Sequence, residues 1–218
     1  MLDSLVNING NHVQTLELMV ILTIITLLPS IIVMMTSFTR IIIVLSILRN
    51  ALGLQQTPPN MVLTGIALFL SLFIMSPVMQ DINSEAYEPY QQGQITQEVA
   101  LEKAAVPMKE FMLAQTKIDT LNMFLEFADK EAPENLEELS MTIVIPAFMT
   151  SELSRAFTMG FLIFIPFLII DIIVSSTLMS MGMIMLPPAM ISLPFKILLF
   201  VVINGWDLLF STLVKSFN

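Results

Sequence analysis

Residues 157–179 decide the fold class, and they read FTMGFLIFIPFLIIDIIVSSTLM. This run carries one charged residue, Asp171, and it is long enough for a helix that crosses the hydrocarbon core of a membrane. Residues 189–203 form a further apolar run, whose one charged residue is Lys196. Only a short turn separates the two runs, so the sequence predicts two apolar helices that fold back on each other as a hairpin.

Two more apolar runs, residues 18–35 and 61–79, lie near the beginning of the chain. Hydrophobic residues make up 56% of the sequence and charged residues only 12%, whereas about 25% of residues are charged in an ordinary soluble domain. The composition therefore predicts an all-α, membrane-associated protein built from helical hairpins, with four membrane spans.

An acidic segment interrupts the apolar sequence. Residues 81–139 hold thirteen acidic residues and four lysines, which accounts for the net charge of −9 of the whole chain. Two sets of residues with i, i+3, i+4, i+7 spacing begin at Leu101 and Leu121 and predict short amphipathic helices. We therefore divide the chain into N-terminal apolar helices (1–80), an acidic, mainly helical insert (81–140) and C-terminal apolar helices (141–218).

The basic residues give an orientation in the membrane. Arg40 and Arg49 lie between the first two apolar runs, which places that connection in the cytoplasm by the positive-inside rule. The acidic insert is then predicted on the extracytoplasmic side, the periplasm of a diderm bacterium, and the turn between the last two runs on the cytoplasmic side. Arg155 and Lys215 on the outward side argue against this orientation.

Charged residues within or beside the apolar runs are candidate functional residues, because a charge is costly in hydrocarbon. They are Arg40, Arg49, Glu152, Arg155, Asp171 and Lys196. They either line an ion or proton path or form pairs that fix an assembly. The sequence shows no internal repeat and one acid in the middle of a span, which favours assembly over transport. From a straight hairpin we expect Asp171 and Lys196 to differ in height by roughly 10 Å, so that they pair between subunits.

The sequence lacks the residues that most catalytic sites need. It has no cysteine and one histidine, His12, and it contains no phosphate-binding loop or nucleophile motif. We therefore predict no enzymatic activity, no metal site and no cofactor. The acidic balance also excludes a basic nucleic-acid surface.

A methionine-rich turn (residues 179–188) connects the last two apolar runs and reads MSMGMIMLPP. Methionine is flexible and polarizable, so such a turn suits a deformable seal, although methionine is also a common filler of hydrophobic cores. The pattern alone leaves both interpretations open.

Five separated stretches resemble the FliP family, the P-type subunits of the flagellar type III export gate. They are TSFTRIIIVLSILRNALGLQQTPPN (36–60), SELSRAFTMGF (151–161), IPFLIID (165–171), MGMIMLPP (181–188) and ISLPFK (191–196). The virulence-injectisome counterpart is a close alternative, and a small-solute or ion transporter is a more distant one.

The resemblance implies a helical ring of about five copies of this chain, completed by the Q-type and R-type subunits, FliQ and FliR. It also implies contact with the switch subunit FlhB and with membrane lipid. Unfolded flagellar proteins would pass through its centre, at the inner membrane within the flagellar basal body. The resemblance further implies that the apolar helices sit in a raised assembly instead of crossing a flat bilayer. By position, the family's pore gasket corresponds to Met183, Ile184 and Met185, with Met181 adjacent to them.

Overall fold

The computed structural model describes residues 5–8, 11–130, 138–183 and 185–217, with side chains from residue 18 onward except at positions 28, 29 and 32. Ten α-helices and one π-helical turn are defined in these ranges. The helices are α1 (Thr15–Met34), α2 (Phe38–Ala51), α3 (Asn60–Ile74), α4 (Ser76–Ile82), α5 (Glu88–Gln91), α6 (Gln97–Ala114), α7 (Ile118–Phe127), α8 (Met141–Ser180), α9 (Pro188–Val202) and α10 (Gly205–Lys215), with the π-helical turn at Asn83–Tyr87.

A short hairpin precedes the helices. Strands β1 (Leu5–Ile8) and β2 (Asn11–Gln14) pair antiparallel, with Leu5 opposite Gln14. The described part of the chain is therefore helical apart from this hairpin, which the all-α prediction did not include. The sequence does carry a signal for it, because the pair Asn9-Gly10 is typical of two-residue hairpin connections.

The central contact of the fold is between α2 and α8. On α2, Ile41, Val44, Leu45 and Leu48 are buried at the three- and four-residue spacing of one helix face. Ala156 and Phe167 of α8 belong to the same buried cluster, together with Phe200 of α9 and Leu213 of α10. The two apolar ends of the chain therefore share one core.

A second buried cluster joins the acidic insert to the beginning of α8. Leu121 and Leu125 of α7 pack with Val144 and Phe148 of α8 and with Met112 of α6. The spacing that begins at Leu121 thus identifies the buried face of α7, whereas Leu101 on α6 is exposed. The insert is docked on α8 through apolar side chains.

Helix α8 has 40 residues and is about 60 Å long at the helical rise, twice the thickness of a hydrocarbon core. It is the one helix in the described ranges that is long and apolar enough by itself to cross a membrane. The count rises to three if each of two bent helix pairs is one span. These pairs are Asn60–Ile74 with Ser76–Gln91, bent by 54°, and Pro188–Val202 with Gly205–Lys215, bent by 64°. The four spans predicted from the sequence are therefore not matched one for one by straight helices.

Candidate functional site

The methionine turn ends α8 in a conformation that favours glycine. Gly182 has a φ of +76°, which glycine adopts without a steric cost. The Met183 amide donates to Leu178 O and the Gly182 amide donates to Met179 O, both at 3.0 Å. These two hydrogen bonds form a Schellman helix end. Residues 181–183 and 185–187 therefore lie outside both helices, and Pro188 begins α9.

The methionines of the turn are exposed. Met181 is 60% exposed, Met183 39% and Met185 98%. Ile184 lies outside the described residues. A methionine that fills a core is buried, so these three side chains are not core fillers within this chain. They are available to other molecules at the tip of the hairpin formed by α8 and α9.

Asp171 of α8 and Lys196 of α9 form an ion pair about two helical turns from the methionine turn. Lys196 Nζ lies 2.6 Å from Asp171 Oδ2 and also donates to Ala51 O at 3.0 Å. Ser192 Oγ donates to Asp171 Oδ1 at 2.6 Å. Ala51 is the last residue of α2, where helix carbonyls attract a cation. The buried ammonium group thus fixes α8 and α9 to the end of α2.

The prediction that Asp171 and Lys196 pair between subunits is wrong, because the two side chains form an ion pair within one chain. The predicted difference in height was calculated as if α8 continued through residues 181–187. Those residues form the turn, so Asp171 lies nine residues before the end of α8 and Lys196 eight residues after the start of α9. These heights differ by only about 1.5 Å at the helical rise, and the side chains can meet.

Arg40 and Glu152 form a buried ion pair between α2 and α8. Arg40 is 1% exposed and Glu152 is fully buried. The guanidinium donates from Nη2 to Glu152 Oε1, and from Nε to Oε2 at 2.9 Å, which is the bidentate arrangement preferred by arginine and carboxylate. Both charges are therefore satisfied inside the chain.

The Arg40 guanidinium also binds two further parts of the fold. It donates to Gln115 Oε1 at 3.0 Å, just after α6, and to Ser216 O and Oγ at 2.9 Å, just after α10. Its Cζ lies 3.7 Å from the centroid of the Phe217 ring, a cation–π distance. Gln115 Nε2 in turn donates to Phe217 O at 3.1 Å. We call Arg40, Gln115, Glu152, Ser216 and Phe217 the Arg40 cluster.

The other two arginines form no ion pair in the described ranges, although Arg155 is close enough to Glu152 for their charges to interact. Arg49 Nη1 donates to Asn60 Oδ1 at 2.5 Å and to Pro58 O at 3.3 Å. The Nε atoms of Arg49 and Arg155 are buried without a hydrogen-bond acceptor among the described residues. Of the six charged residues singled out in the sequence, four therefore pair within the chain, and a role of any of the six in assembly stays a prediction.

Sequence reasoning missed the uncharged partners of these ion pairs. Ser192 could have been found, because it lies four residues before Lys196 and so shares its helix face. Gln115, Ser216 and Phe217 carried no comparable signal, since each is distant in sequence from both Arg40 and Glu152.

A model of the FliP family matches residues 21–213, which include the methionine turn and both ion pairs. The chain belongs to the FliP family. It is 53% identical over 211 residues to "Flagellar biosynthetic protein FliP" of Pectobacterium carotovorum subsp. carotovorum, covering 96% of this chain and 82% of that protein. It is 51% identical over 207 residues to the protein of the same name from Bacillus subtilis strain 168, covering 95% and 94%.

A third relative extends the range of organisms. "Flagellar biosynthetic protein FliP" of Aquifex aeolicus strain VF5 is 49% identical over 211 residues, covering 96% of this chain and 88% of that protein. These matches confirm the resemblance based on the five stretches. In this FliP-family chain, the candidate functional site is therefore the exposed methionine turn, together with the ion pair of Asp171 and Lys196 that holds its hairpin and the Arg40 cluster between α2 and α8.

Proposed function

We propose that this chain is the pore-forming subunit of the flagellar type III protein export gate, and that it passes unfolded flagellar proteins across the inner membrane at the flagellar basal body. The observation that carries the proposal is the set of exposed methionines at the tip of an apolar hairpin in a FliP-family chain. The names of the relatives refer to flagellar biosynthesis, which supports a flagellar role over a virulence injectisome.

Methionine suits the closing element of a pore that must open for chains of any sequence. Its unbranched thioether side chain changes conformation readily and packs against irregular surfaces. In a ring of about five copies, symmetry would bring the same turn of each copy to one axis. Met181, Met183, Ile184 and Met185 would then close the axis when no substrate is present, and would separate around a passing chain.

The hairpin that carries the methionine turn is held rigidly at its base. The ion pair of Asp171 and Lys196 joins α8, α9 and the end of α2, and it lies about two helical turns from the methionine turn. Conformationally adaptable methionine side chains on a fixed base fit a seal that deforms locally while the ring stays assembled. We assign the chain no catalytic step, metal or cofactor.

Apolar side chains outside the two cores supply surface for the rest of the gate. Phe69 and Phe73 of α3 are exposed, as are Phe157 and Phe161 of α8. Large exposed apolar patches mark interaction surfaces or contact with lipid. In the proposal, further copies of this chain, FliQ, FliR, FlhB and membrane lipid cover them.

Disulfide trapping of a substrate in transit tests the proposal. The chain has no cysteine, so Met185→Cys introduces a unique thiol at the tip of the hairpin. A flagellar export substrate that carries one cysteine, and is arrested by a fused folded domain, is expected to form a disulfide with this thiol. Glu102→Cys, an exposed position on α6, is the matched control and is expected to form none. Equal trapping at both positions would contradict the proposal. So would the absence of trapping at position 185 in a Met185→Cys variant that still exports substrates without the fused domain.

A further inference from the structure

A narrow cleft opens between the end of α2, the connection from α2 to α3, and the helices α9 and α10. Its volume is about 250 Å³, and its lining includes Leu48, Leu54, Phe200 and Trp206. Among the described residues, Arg49 is the only charged one of the lining. The exposed Thr57 of the connection also lines it, so the cleft has an apolar interior with a polar edge at Arg49 and Thr57.

The described residues satisfy only part of the hydrogen-bonding capacity of the Arg49 guanidinium. Nη1 donates to Asn60 Oδ1 and Pro58 O, but Nε is buried without an acceptor in the described part of the chain. A buried donor that lacks an acceptor is unfavourable. No carboxylate of the described residues forms an ion pair with Arg49 either, since the ion pairs found there involve Arg40 and Lys196. The site therefore fits an anionic group from another molecule.

We propose that this cleft binds an anionic phospholipid, with its phosphate at Arg49 and part of one acyl chain against Leu48, Leu54 and Trp206. A free inorganic anion would satisfy Arg49 but leave the apolar lining uncovered. A neutral apolar molecule would cover the lining but not the guanidinium. An anionic phospholipid does both, and arginine and tryptophan are residues that lie at the headgroup level of membrane proteins. This inference does not depend on what passes through the gate.

Trp206 reports on the cleft directly, because it is the only tryptophan of the chain. The full-length protein, purified with the subunits that accompany it, is reconstituted in vesicles that contain phosphatidylglycerol or phosphatidylethanolamine with brominated acyl chains. Bromine quenches tryptophan fluorescence on contact, and a Trp206→Phe sample supplies the background from other subunits. We expect half-maximal quenching at about tenfold less brominated phosphatidylglycerol than phosphatidylethanolamine, because both lipids carry a phosphate but the ammonium group of phosphatidylethanolamine repels the Arg49 guanidinium.

Two variants separate the charge of the site from its shape. Arg49→Gln is expected to remove the tenfold preference, while Lys215→Gln, which removes an exposed positive charge outside the cleft lining, leaves it unchanged. Leu54→Phe fills the cleft without changing its charge and is expected to weaken quenching by phosphatidylglycerol, which tests the site even where Arg49→Gln fails to fold.

Three results would overturn the inference. Equal quenching by both lipids, unaffected by Arg49→Gln, would mean that Trp206 contacts only bulk lipid. Quenching no greater than the background would mean that another protein subunit covers the cleft. Loss of the preference on addition of inorganic phosphate at constant ionic strength would mean that Arg49 binds a free anion.

Discussion

Gly160 of α8 lies so close to Ile47 of α2 that a Cβ atom added at residue 160 would be 2.3 Å from Ile47 Cδ1 and 3.1 Å from Ile47 Cβ. Contacts below 3.0 Å are not tolerated without movement of a neighbour. The absence of a side chain at Gly160 therefore lets α2 and α8 approach closely between the Arg40 cluster and the ion pair of Asp171 and Lys196. Both polar sites depend on how these two helices are placed.

Gly160→Ala is expected to lower stability by about 1–3 kcal/mol, because it overpacks this contact. The measurement is the thermal unfolding midpoint of the purified protein in detergent. Gly65→Ala is the matched control, since a Cβ at this position on α3 meets nothing within 4 Å, and it is expected to leave the midpoint unchanged or raise it slightly.

A second change tests the cause of the Gly160 effect. Ile47→Ala removes the atoms that a new Cβ would meet, so the double variant Gly160→Ala/Ile47→Ala is expected to be less destabilised than the sum of its single changes. Strict additivity would show that the two residues do not compete for the same space.

Removal of one partner of the buried pair between Arg40 and Glu152 is expected to be severe. Glu152→Leu leaves the guanidinium inside the core with only the uncharged acceptors of Gln115 and Ser216, and a loss of about 3–5 kcal/mol is typical for such a change. The amount of folded protein in membranes and its unfolding midpoint measure the effect.

The double variant Arg40→Met/Glu152→Leu is the control for this pair. It removes both charges and keeps apolar bulk, so we expect a substantial part of the lost stability to return. Single variants as stable as the unaltered protein would show that the Arg40 cluster does not hold the fold together.

The sequence predicted the helical class and the parts of the fold that depend on local pattern. The apolar run at 157–179 falls within α8, and the spacing at Leu121 and Leu125 identified the buried face of α7. The sequence marked a break near Pro77 and a helix end at Gly205, but the bends of 54° and 64° at these places were not predicted, because a hydropathy run does not define the direction of the chain at a helix end.

The sequence identified the charged residues of the site but not which of them pair with each other. All six charged residues were singled out because a charge among apolar residues is unusual. Which of them meet depends on tertiary distances: Arg40 and Glu152 are 112 positions apart. The pairing of Asp171 with Lys196 depended on where the turn begins, which the Schellman end at Gly182 determines and which periodicity did not reveal.

The proposed assembly predicts that the chain is extracted from membranes as an oligomer of about five copies together with other small membrane proteins. The physical reason is the exposed apolar surface on α3 and α8, which includes Phe73 and Phe161. Each copy contributes 24.4 kDa, so a mass measurement of the detergent-extracted complex resolves the copy number. A monodisperse monomer that restores export by itself would contradict the assembly.

The measurement that tests the central claim most directly is membrane conductance in cells that express the triple variant Met181→Ala/Met183→Ala/Met185→Ala, made beside the amount of intact complex. These side chains are exposed in the chain, so their truncation should not create core cavities. If they close a pore, the complex stays assembled and the membrane leaks ions and small solutes, because alanine lacks the bulk to fill the axis. An intact complex without a leak would contradict the assignment of the methionine turn as the seal.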